Sequence, residues 1–389
     1  MSAQAPLIPS FPIRPILLLF FINYLNVLSR IVFAPLLPLI EVEFGLGHGQ
    51  AGSLFLSMAF GFCAGLFGSG FLSSRLNHRR TIVFSAVTVG GAMLATSQSP
   101  SVSFVYLGLL LVGTSAGFYL PSEIAILTDL IRQPHWGKAI AIRESAASLG
   151  LITAPLLVEF LLRFLSWRCI LGTVGASSIL MAVLFIFFGQ GGERKGEPPN
   201  LREMQNFLGN RSFRIMAVLF AISIGAQIGV YAMLPLFLVN EIGVYRELAN
   251  TIIGLSQISA AVCLFFSGLI ADRIGHKRGV VLFTATTGVL TLLLGLIHGS
   301  LTTPALILLQ ATSAACLFPA GFAIVSGIFP PHLRSLAISL VVLVGYFFGA
   351  GLVPSGIGYL AEALSFSVGF SLLGILTLAM LPLLSRLRA

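Results

Sequence analysis

Three polar side chains lie on one face of the first long apolar segment. Asn23, Asn26 and Arg30 follow one another at i, i+3 and i+7, the spacing that places residues on one side of a helix. Arg30 lies about 15 residues into the segment, roughly 22 Å along a helix, so its guanidinium cannot easily reach water. A permanent cation at that depth needs an internal partner or an arriving anion. The three residues predict a site for an anionic group; the alternative is a seam of hydrogen bonds between helices.

Two later apolar segments carry a second group of ionisable side chains. Tyr119 and Glu123 share a helix face at i, i+4, and Arg143 and Glu144 are neighbours in the next segment. Adjacent helix positions point about 100° apart, so we expect Arg143 and Glu144 not to be partners. Glu123 has three open roles: partner of Arg30, partner of Arg143, or proton carrier.

The positions of the histidines limit the roles that this group can have. All six histidines lie at loops or segment ends, so any coupled proton must be carried by Glu123 or Glu144. We assign Tyr119 and Arg143 to substrate binding. The alternative for Arg143 is a gate near the end of its segment.

In the second half of the chain, the middles of the apolar segments carry only uncharged hydrogen-bonding groups. Each amide has an alternative use as a packing contact between helices. Taken together, the pattern predicts a charged half that faces a neutral half across the substrate. The substrate-binding candidates here are Gln227, Tyr231, Gln257, Gln310 and Tyr346.

Two acids nearer the segment ends have structural interpretations. Asp129 is predicted to pair with a basic loop residue such as Arg75. Glu159 lies toward the other end of its segment, and we expect it at the membrane interface.

The elements that must position these residues are membrane helices. The chain is 57% hydrophobic and 9% charged, whereas soluble domains average about 25% charged residues. Its apolar runs are continuous and reach the roughly 20 residues that a spanning helix needs, which predicts an all-α membrane protein. We predict spans at 14–40, 50–73, 80–98, 102–131, 138–162, 168–189, 212–240, 250–271, 279–298, 304–329, 335–361 and 365–385.

The basic residues predict how these spans are oriented. Of the 22 Lys and Arg residues, 17 lie on the side of the termini, three on the other side and two within spans. Because basic loops stay inside the cell, we expect a multi-pass inner-membrane protein with both termini in the cytoplasm. The polar, Gly- and Pro-containing stretch 190–211 predicts a cytoplasmic linker between two bundles, 1–189 and 212–389.

The second bundle repeats the first at an offset of 198 residues. Gly70–Arg80 aligns with Gly268–Arg278, and Pro121 aligns with Pro319. With six helices in each half, both halves start on the same side, so the repeat is parallel and related by a pseudo-two-fold axis normal to the membrane. In such proteins the substrate lies at the repeat interface.

The Gly268–Arg278 segment resembles the signature loop between helices 8 and 9 of the major facilitator superfamily (MFS). The resemblance implies the MFS fold: two six-helix bundles that rock around a central cavity. It also implies that Asp272 latches one state by capping the start of helix 5, near 137–139. The first copy has Ser74 in place of this acid. The predicted gating residues are Gly70, Arg75, Gly268, Asp272, Arg273, Gly275, Lys277 and Arg278.

Two shorter segments resemble different branches of that superfamily. Asn23-Tyr24, with Pro35 further along, is similar to helix 1 of organic-anion symporters, although Asn26-Val27 replaces their Asp-Arg pair and Arg30 follows one turn later. The segment Gly150–Pro155 resembles the helix-5 motif of proton-coupled exporters, with Ala154 in place of its second glycine.

The sequence therefore predicts a secondary transporter that moves a small organic anion by alternating access, coupled to protons. The alternative is a proton-coupled exporter of amphipathic drugs or lipids. An enzyme would need clustered catalytic groups, and ATP-driven pumping would need a nucleotide motif; we find neither in the sequence. We expect no cofactor and no metal, because the four cysteines lie in apolar runs without ligand spacing. We expect no nucleic acid, because the positions of the basic residues account for the net charge of +9. The expected partners are the substrate and the bilayer, and we expect a monomer.

Overall fold

The computed structural model describes residues 13–132, 135–198, 207, 209–329 and 334–385. Within them the chain forms twelve helices that are long and apolar enough to cross a membrane, which confirms the predicted fold class. In chain order they are α1 (Ile13–Phe44), α2 (His48–Leu76), α3 (His78–Ser97), α4 (Val102–Leu130), α5 (Lys138–Leu162), α6 (Trp167–Phe188), α7 (Arg211–Glu241), α8 (Arg246–Ile274), α9 (His276–Leu296), α10 (Thr302–Ile328), α11 (Leu336–Ala363) and α12 (Phe366–Leu384).

Two helices of the first half are interrupted just before a proline. A proline cannot donate a hydrogen bond to the carbonyl four residues earlier. For Pro35 that carbonyl belongs to Ile31, and for Pro121 it belongs to Gly117. The resulting segments are Ile13–Ile31 and Phe33–Phe44 in α1, and Val102–Gly117 and Tyr119–Leu130 in α4. The first break, at Val32, lies two residues after Arg30, and the second, at Phe118, lies next to Tyr119.

The second half contains π-helical turns at the same depth. They span Gly225–Gly229 in α7 and Tyr346–Leu352 in α11. The two turns pack backbone to backbone, because a Cβ added at Gly349 would lie 2.5 Å from the amide nitrogen of Gly225. Such turns are frequent at functional sites, and Tyr346 opens the one in α11.

The internal repeat is visible in the backbone of its two loops. Asn77 and Gly275, which align at the repeat offset, both have positive φ, of 73° and 91°. Glycine adopts this conformation freely, and asparagine is among the few other residues that tolerate it. The equivalent loops therefore share a turn although their sequences have diverged.

The two halves contact each other mainly away from the termini. We call the side that carries the termini the terminal face and the other side the distal face. A Cβ added at Gly52 would lie 2.4 Å from the carbonyl of Pro354, and one at Gly49 would lie 2.3 Å from the Tyr359 ring. Near the middle, the Cys63 thiol donates to the carbonyl of Leu343. The halves are thus packed together from the distal face to mid-depth.

Toward the terminal face the signature loop of the second half is exposed. The Asp272 side chain is 69% exposed and lies 3.9 Å from His276 in its own loop. Within the described residues, Asp272 therefore contacts its own loop rather than the start of α5.

Candidate functional site

Arg30 lies between the halves, stacked on aromatic rings. Its side chain is buried, with the guanidinium carbon 4.4 Å from the centre of the Phe62 ring and 5.2 Å from that of Tyr346. Its Nε donates to the carbonyl of Asn26, and its Nη1 donates to the Tyr346 hydroxyl at 2.5 Å. No carboxylate lies within ion-pair distance of it among the residues that the structure describes. We call Arg30, Phe62 and Tyr346 the aromatic clamp.

The clamp joins three helices from both halves. Arg30 is on α1 and Phe62 on α2, whereas Tyr346 comes from α11 in the second half. The rings of Phe62 and Tyr346 also contact each other, with centroids 4.5 Å apart. A cation on a desolvated aromatic face gains roughly 0.5–2 kcal/mol. The stacking offsets part of the cost of burying the guanidinium but leaves its charge without an anionic partner in the described part of the chain.

Arg143 has a different environment. Its Nε donates to Glu123 at 2.7 Å, and its Nη1 contacts the carboxylate of Glu144. The expectation that Arg143 and Glu144 would not be partners was wrong, because the long arginine side chain bends back to its neighbour. Of the three roles open to Glu123, the structure places it beside Arg143. Glu123 is 1% exposed, whereas Glu144 is 55% exposed.

Glu144 lies on the face of α5 that is directed toward the second half. Glu144, Ser148 and Leu151 share a face of α5 at i, i+4 and i+7. Ser148 and Leu151 line a small cavity together with Gln227 and Gln257 of the second half. A second small cavity borders Arg30, Tyr231 and Tyr346. Predicted residues from both halves therefore meet at the interface.

Other predicted residues use their polar atoms to join helices. Asn23 donates to the carbonyl of Arg143 at 2.9 Å, and Asn26 donates to that of Ala116 at 3.2 Å. The Tyr119 hydroxyl donates to the carbonyl of Leu19, and the Gln310 amide donates to that of Ala226. These contacts correspond to the hydrogen-bond seam given above as the alternative interpretation.

A polar contact closes the interface near the distal face. Glu159 of α5 accepts hydrogen bonds from Arg246 at 2.9 Å and from Asn250 at 2.6 Å, both on α8. Asn250 also lies 3.4 Å from the carbonyl of Pro35. We call Glu159, Arg246 and Asn250 the distal lock. Sequence reasoning did not find it, because neither partner could be identified from spacing alone.

At the terminal face, Asp129 pairs with a basic residue of a connecting segment, as predicted. That residue is Arg194 of the linker, 3.6 Å away, instead of Arg75, which was named as an example. The linker folds back onto the α2–α3 loop, where the amide of Gly196 donates to the carbonyl of Ser73. That docking brings Arg194 to α4, which no pattern in the sequence indicated.

Comparisons with known proteins agree with this architecture. The family model described as Major Facilitator Superfamily matches residues 19–244 and 215–389. A probable 4-methylmuconolactone transporter of Cupriavidus pinatubonensis is 27% identical over 347 residues, which cover 85% of this chain and 79% of the relative. A cis,cis-muconate transport protein of Acinetobacter baylyi is 25% identical over 361 residues, which cover 86% and 84% of the two chains.

The fold also occurs among solved structures. A bacterial homologue of the human lysosomal transporter Spinster, crystallised in an inward-facing conformation, superposes with a TM-score of 0.78. The match covers 96% of each chain at 17% sequence identity. At that identity the similarity establishes the fold alone.

Proposed function

The chain belongs to the Major Facilitator Superfamily and is a multi-pass membrane transporter, and on that premise we propose that it carries a small organic anion by alternating access. The family and the two relatives are transporters, so the prediction that the chain is not an enzyme is confirmed. One observation carries the proposal: Arg30 is a buried cation with no carboxylate partner among the described residues. The relative named for cis,cis-muconate, a dicarboxylate, supports it.

The proposal depends on the different environments of the two arginines that lie within spans, Arg30 and Arg143. Arg143 already has two carboxylates, so a further anion would gain little there. Among the described residues, Arg30 has only hydrogen bonds and ring contacts. A guanidinium holds a carboxylate through two parallel N–H groups. An arriving carboxylate would therefore complete the charge balance at Arg30.

The hydrogen bonds of Arg30 restrict how that carboxylate can dock. The Nε atom is committed to Asn26, so two-point binding must use the edge formed by Nη1 and Nη2. Nη1 is held by the Tyr346 hydroxyl. We propose that the substrate displaces this hydroxyl and thereby exchanges a contact between the halves for a contact to itself. Gln227 and Gln257 would bind the rest of the substrate through their amides.

Proton coupling is assigned to the pair of acids on Arg143. Glu123 is buried against the guanidinium, whereas Glu144 is 55% exposed. A proton arriving from water between the halves would therefore reach Glu144 first. Protonated Glu144 leaves Glu123 and Arg143 as a neutral pair, which suits movement through the closed state.

The direction of opening follows from the charge distribution. The excess of Lys and Arg at the terminal face supports placing that face in the cytoplasm of an inner-membrane protein. The conformation then opens inward, with the distal lock closed and Asp272 released from α5. Each chain contains both halves, so a monomer suffices.

The orientation can be tested with a cysteine placed at Glu197, an exposed linker residue. This cysteine should resist membrane-impermeant thiol reagents in intact cells. Rapid labelling would show that the terminal face lies outside the cell.

Uptake and counterflow in proteoliposomes test the proposed function. The panel contains carboxylates, phosphonates and lipophilic cations, each with and without an imposed pH gradient. We expect saturable transport of at least one carboxylate and no transport of the cations. If only lipophilic cations are carried, the anion proposal fails and the chain is an exporter of amphipathic compounds.

A further inference from the structure

A groove opens on the outer surface of the first half, between the start of α3 and the end of α6. Its volume is about 630 Å³. Basic side chains lie at the end nearest the terminal face, and apolar side chains form the walls below. The lining residues are Leu76, Asn77, Arg79, Arg80, Val83, Phe84, Val87, Ile186 and Glu193.

The two arginines at the top of the groove differ in what they bind. Arg79 is fixed in place, because it donates to the carbonyl of Ile186 at 3.0 Å and to Glu193 at 3.1 Å. The guanidinium of Arg80 is exposed and has no hydrogen-bond or ion-pair partner among the described residues. Arg79 neutralises Glu193, which is the acidic residue of the lining. The positive charge of Arg80 is therefore not balanced by an acid of the groove.

The backbone at this end of α3 offers no free donor. The amides of His78 and Arg79 donate to linker carbonyls, and the amide of Arg80 donates to the side chain of Asn77. An anion in the groove would accordingly be held by the Arg80 side chain rather than by the end of the helix.

The walls of the groove continue into the depth of the membrane. Phe84, Val87 and Ile186 are 41%, 40% and 48% exposed, although all three are apolar. From Arg80 to Val87 the helix rises roughly 10 Å, which is the depth of the upper part of an acyl chain. A free anion would contact only the basic end, whereas a molecule with a charged head and an apolar tail would fill both parts.

We propose that this groove binds an anionic phospholipid, with its phosphate on Arg80 and one acyl chain along Val83, Phe84 and Val87. Basic pockets between membrane helices bind such headgroups by the same combination of charge and apolar contact. The groove lies beside the loop on which the linker docks. A lipid bound there would therefore hold the linker and the α2–α3 loop against the first half.

Native mass spectrometry of the purified transporter tests the site. Phosphatidylglycerol and phosphatidylcholine of matched chains are added separately. We expect the wild type to retain phosphatidylglycerol more strongly than phosphatidylcholine. Arg80→Gln should reduce that preference about fivefold, which is the contribution of one basic residue near an anionic membrane surface. Val87→Trp, which narrows the groove without changing charge, should also reduce retention.

Arg214→Gln is the matched control, because Arg214 is an exposed arginine at the same face outside the groove. It should retain phosphatidylglycerol as the wild type does. Equal retention of the two lipids, or equal losses in Arg80→Gln and Arg214→Gln, would overturn the proposal. Competition by inorganic phosphate with no effect of Val87→Trp would identify a free-anion site and overturn it as well.

Discussion

The two halves of the transporter differ in what they place at mid-depth. The first half places charged side chains there: Arg30 and Glu123 are buried, and Arg143 is partly buried. The described middle segments of the second half carry amides and hydroxyls instead, and their backbone contains the paired π-helical turns. The first half therefore supplies the charged groups of the site. The second half supplies neutral hydrogen-bonding groups, on helices that depart locally from regular α-helix.

A second contrast lies within the first half. Arg143 is bound to two acids on its own side of the interface, whereas Arg30 is bound to a tyrosine of the other half. The charge of Arg143 is therefore balanced within the first half, whereas Arg30 is available to bind an anion. The predictions below test this contrast, beginning with the largest expected effect.

Arg143→Gln should destabilise the protein most. Removing one partner of a buried ion pair typically costs about 3–5 kcal/mol, because the other charge stays buried. Thermal unfolding in detergent should show a large fall in Tm. Replacing both partners, as in Glu123→Gln with Arg143→Gln, should recover much of it. A single variant as stable as the wild type would show that this pair is not structural.

Tyr346→Phe should tighten binding of the transported carboxylate. The hydroxyl competes for Nη1 of Arg30, and a hydrogen bond to a charged group contributes roughly 1.5–3 kcal/mol, so Kd should fall about tenfold. Tyr106→Phe is the control, because it removes a tyrosine hydroxyl contact, to the carbonyl of Gln50, outside the substrate site. Weaker binding in Tyr346→Phe would show that the hydroxyl stays on the substrate instead of leaving.

Much of this architecture could be predicted from the sequence, because it depends on local features. Span positions follow from apolar length, and the repeat follows from residues that a tight turn requires, as at Asn77 and Gly275. The clamp could not be predicted, since nothing local links Phe62 to Tyr346 across the interface. The pairing of Asp129 with Arg194 was missed for the same reason: it depends on where the linker docks.

Glu159→Gln should shift the balance of states by a smaller amount. The distal lock is partly exposed, so its loss is expected to cost about 1 kcal/mol and to favour opening at the distal face roughly fivefold. Labelling of a single cysteine placed at Ser53 would report that opening. Glu43→Gln is the matched control, because Glu43 pairs with Arg168 within the first half. Equal labelling in the two variants would contradict a gating role.

Asp272→Asn should have the smallest effect on energy. A carboxylate at a helix N-terminus contributes about 0.3–1 kcal/mol, and in the present conformation Asp272 is exposed. Turnover should slow a few-fold while substrate Kd stays the same, because only the balance of inward and outward states changes. Unchanged transport at normal expression would show that the loop determines topology but does not affect the balance of states.

The most direct test of the anion site is substrate binding by Arg30→Lys, measured as Kd on the purified protein beside its Tm. Lysine keeps the charge but cannot hold a carboxylate at two points. The site described here predicts binding weakened at least about tenfold with Tm close to that of the wild type, and loss of binding in Arg30→Gln. Normal binding in both variants would contradict it, and Arg30 would then be a structural cation.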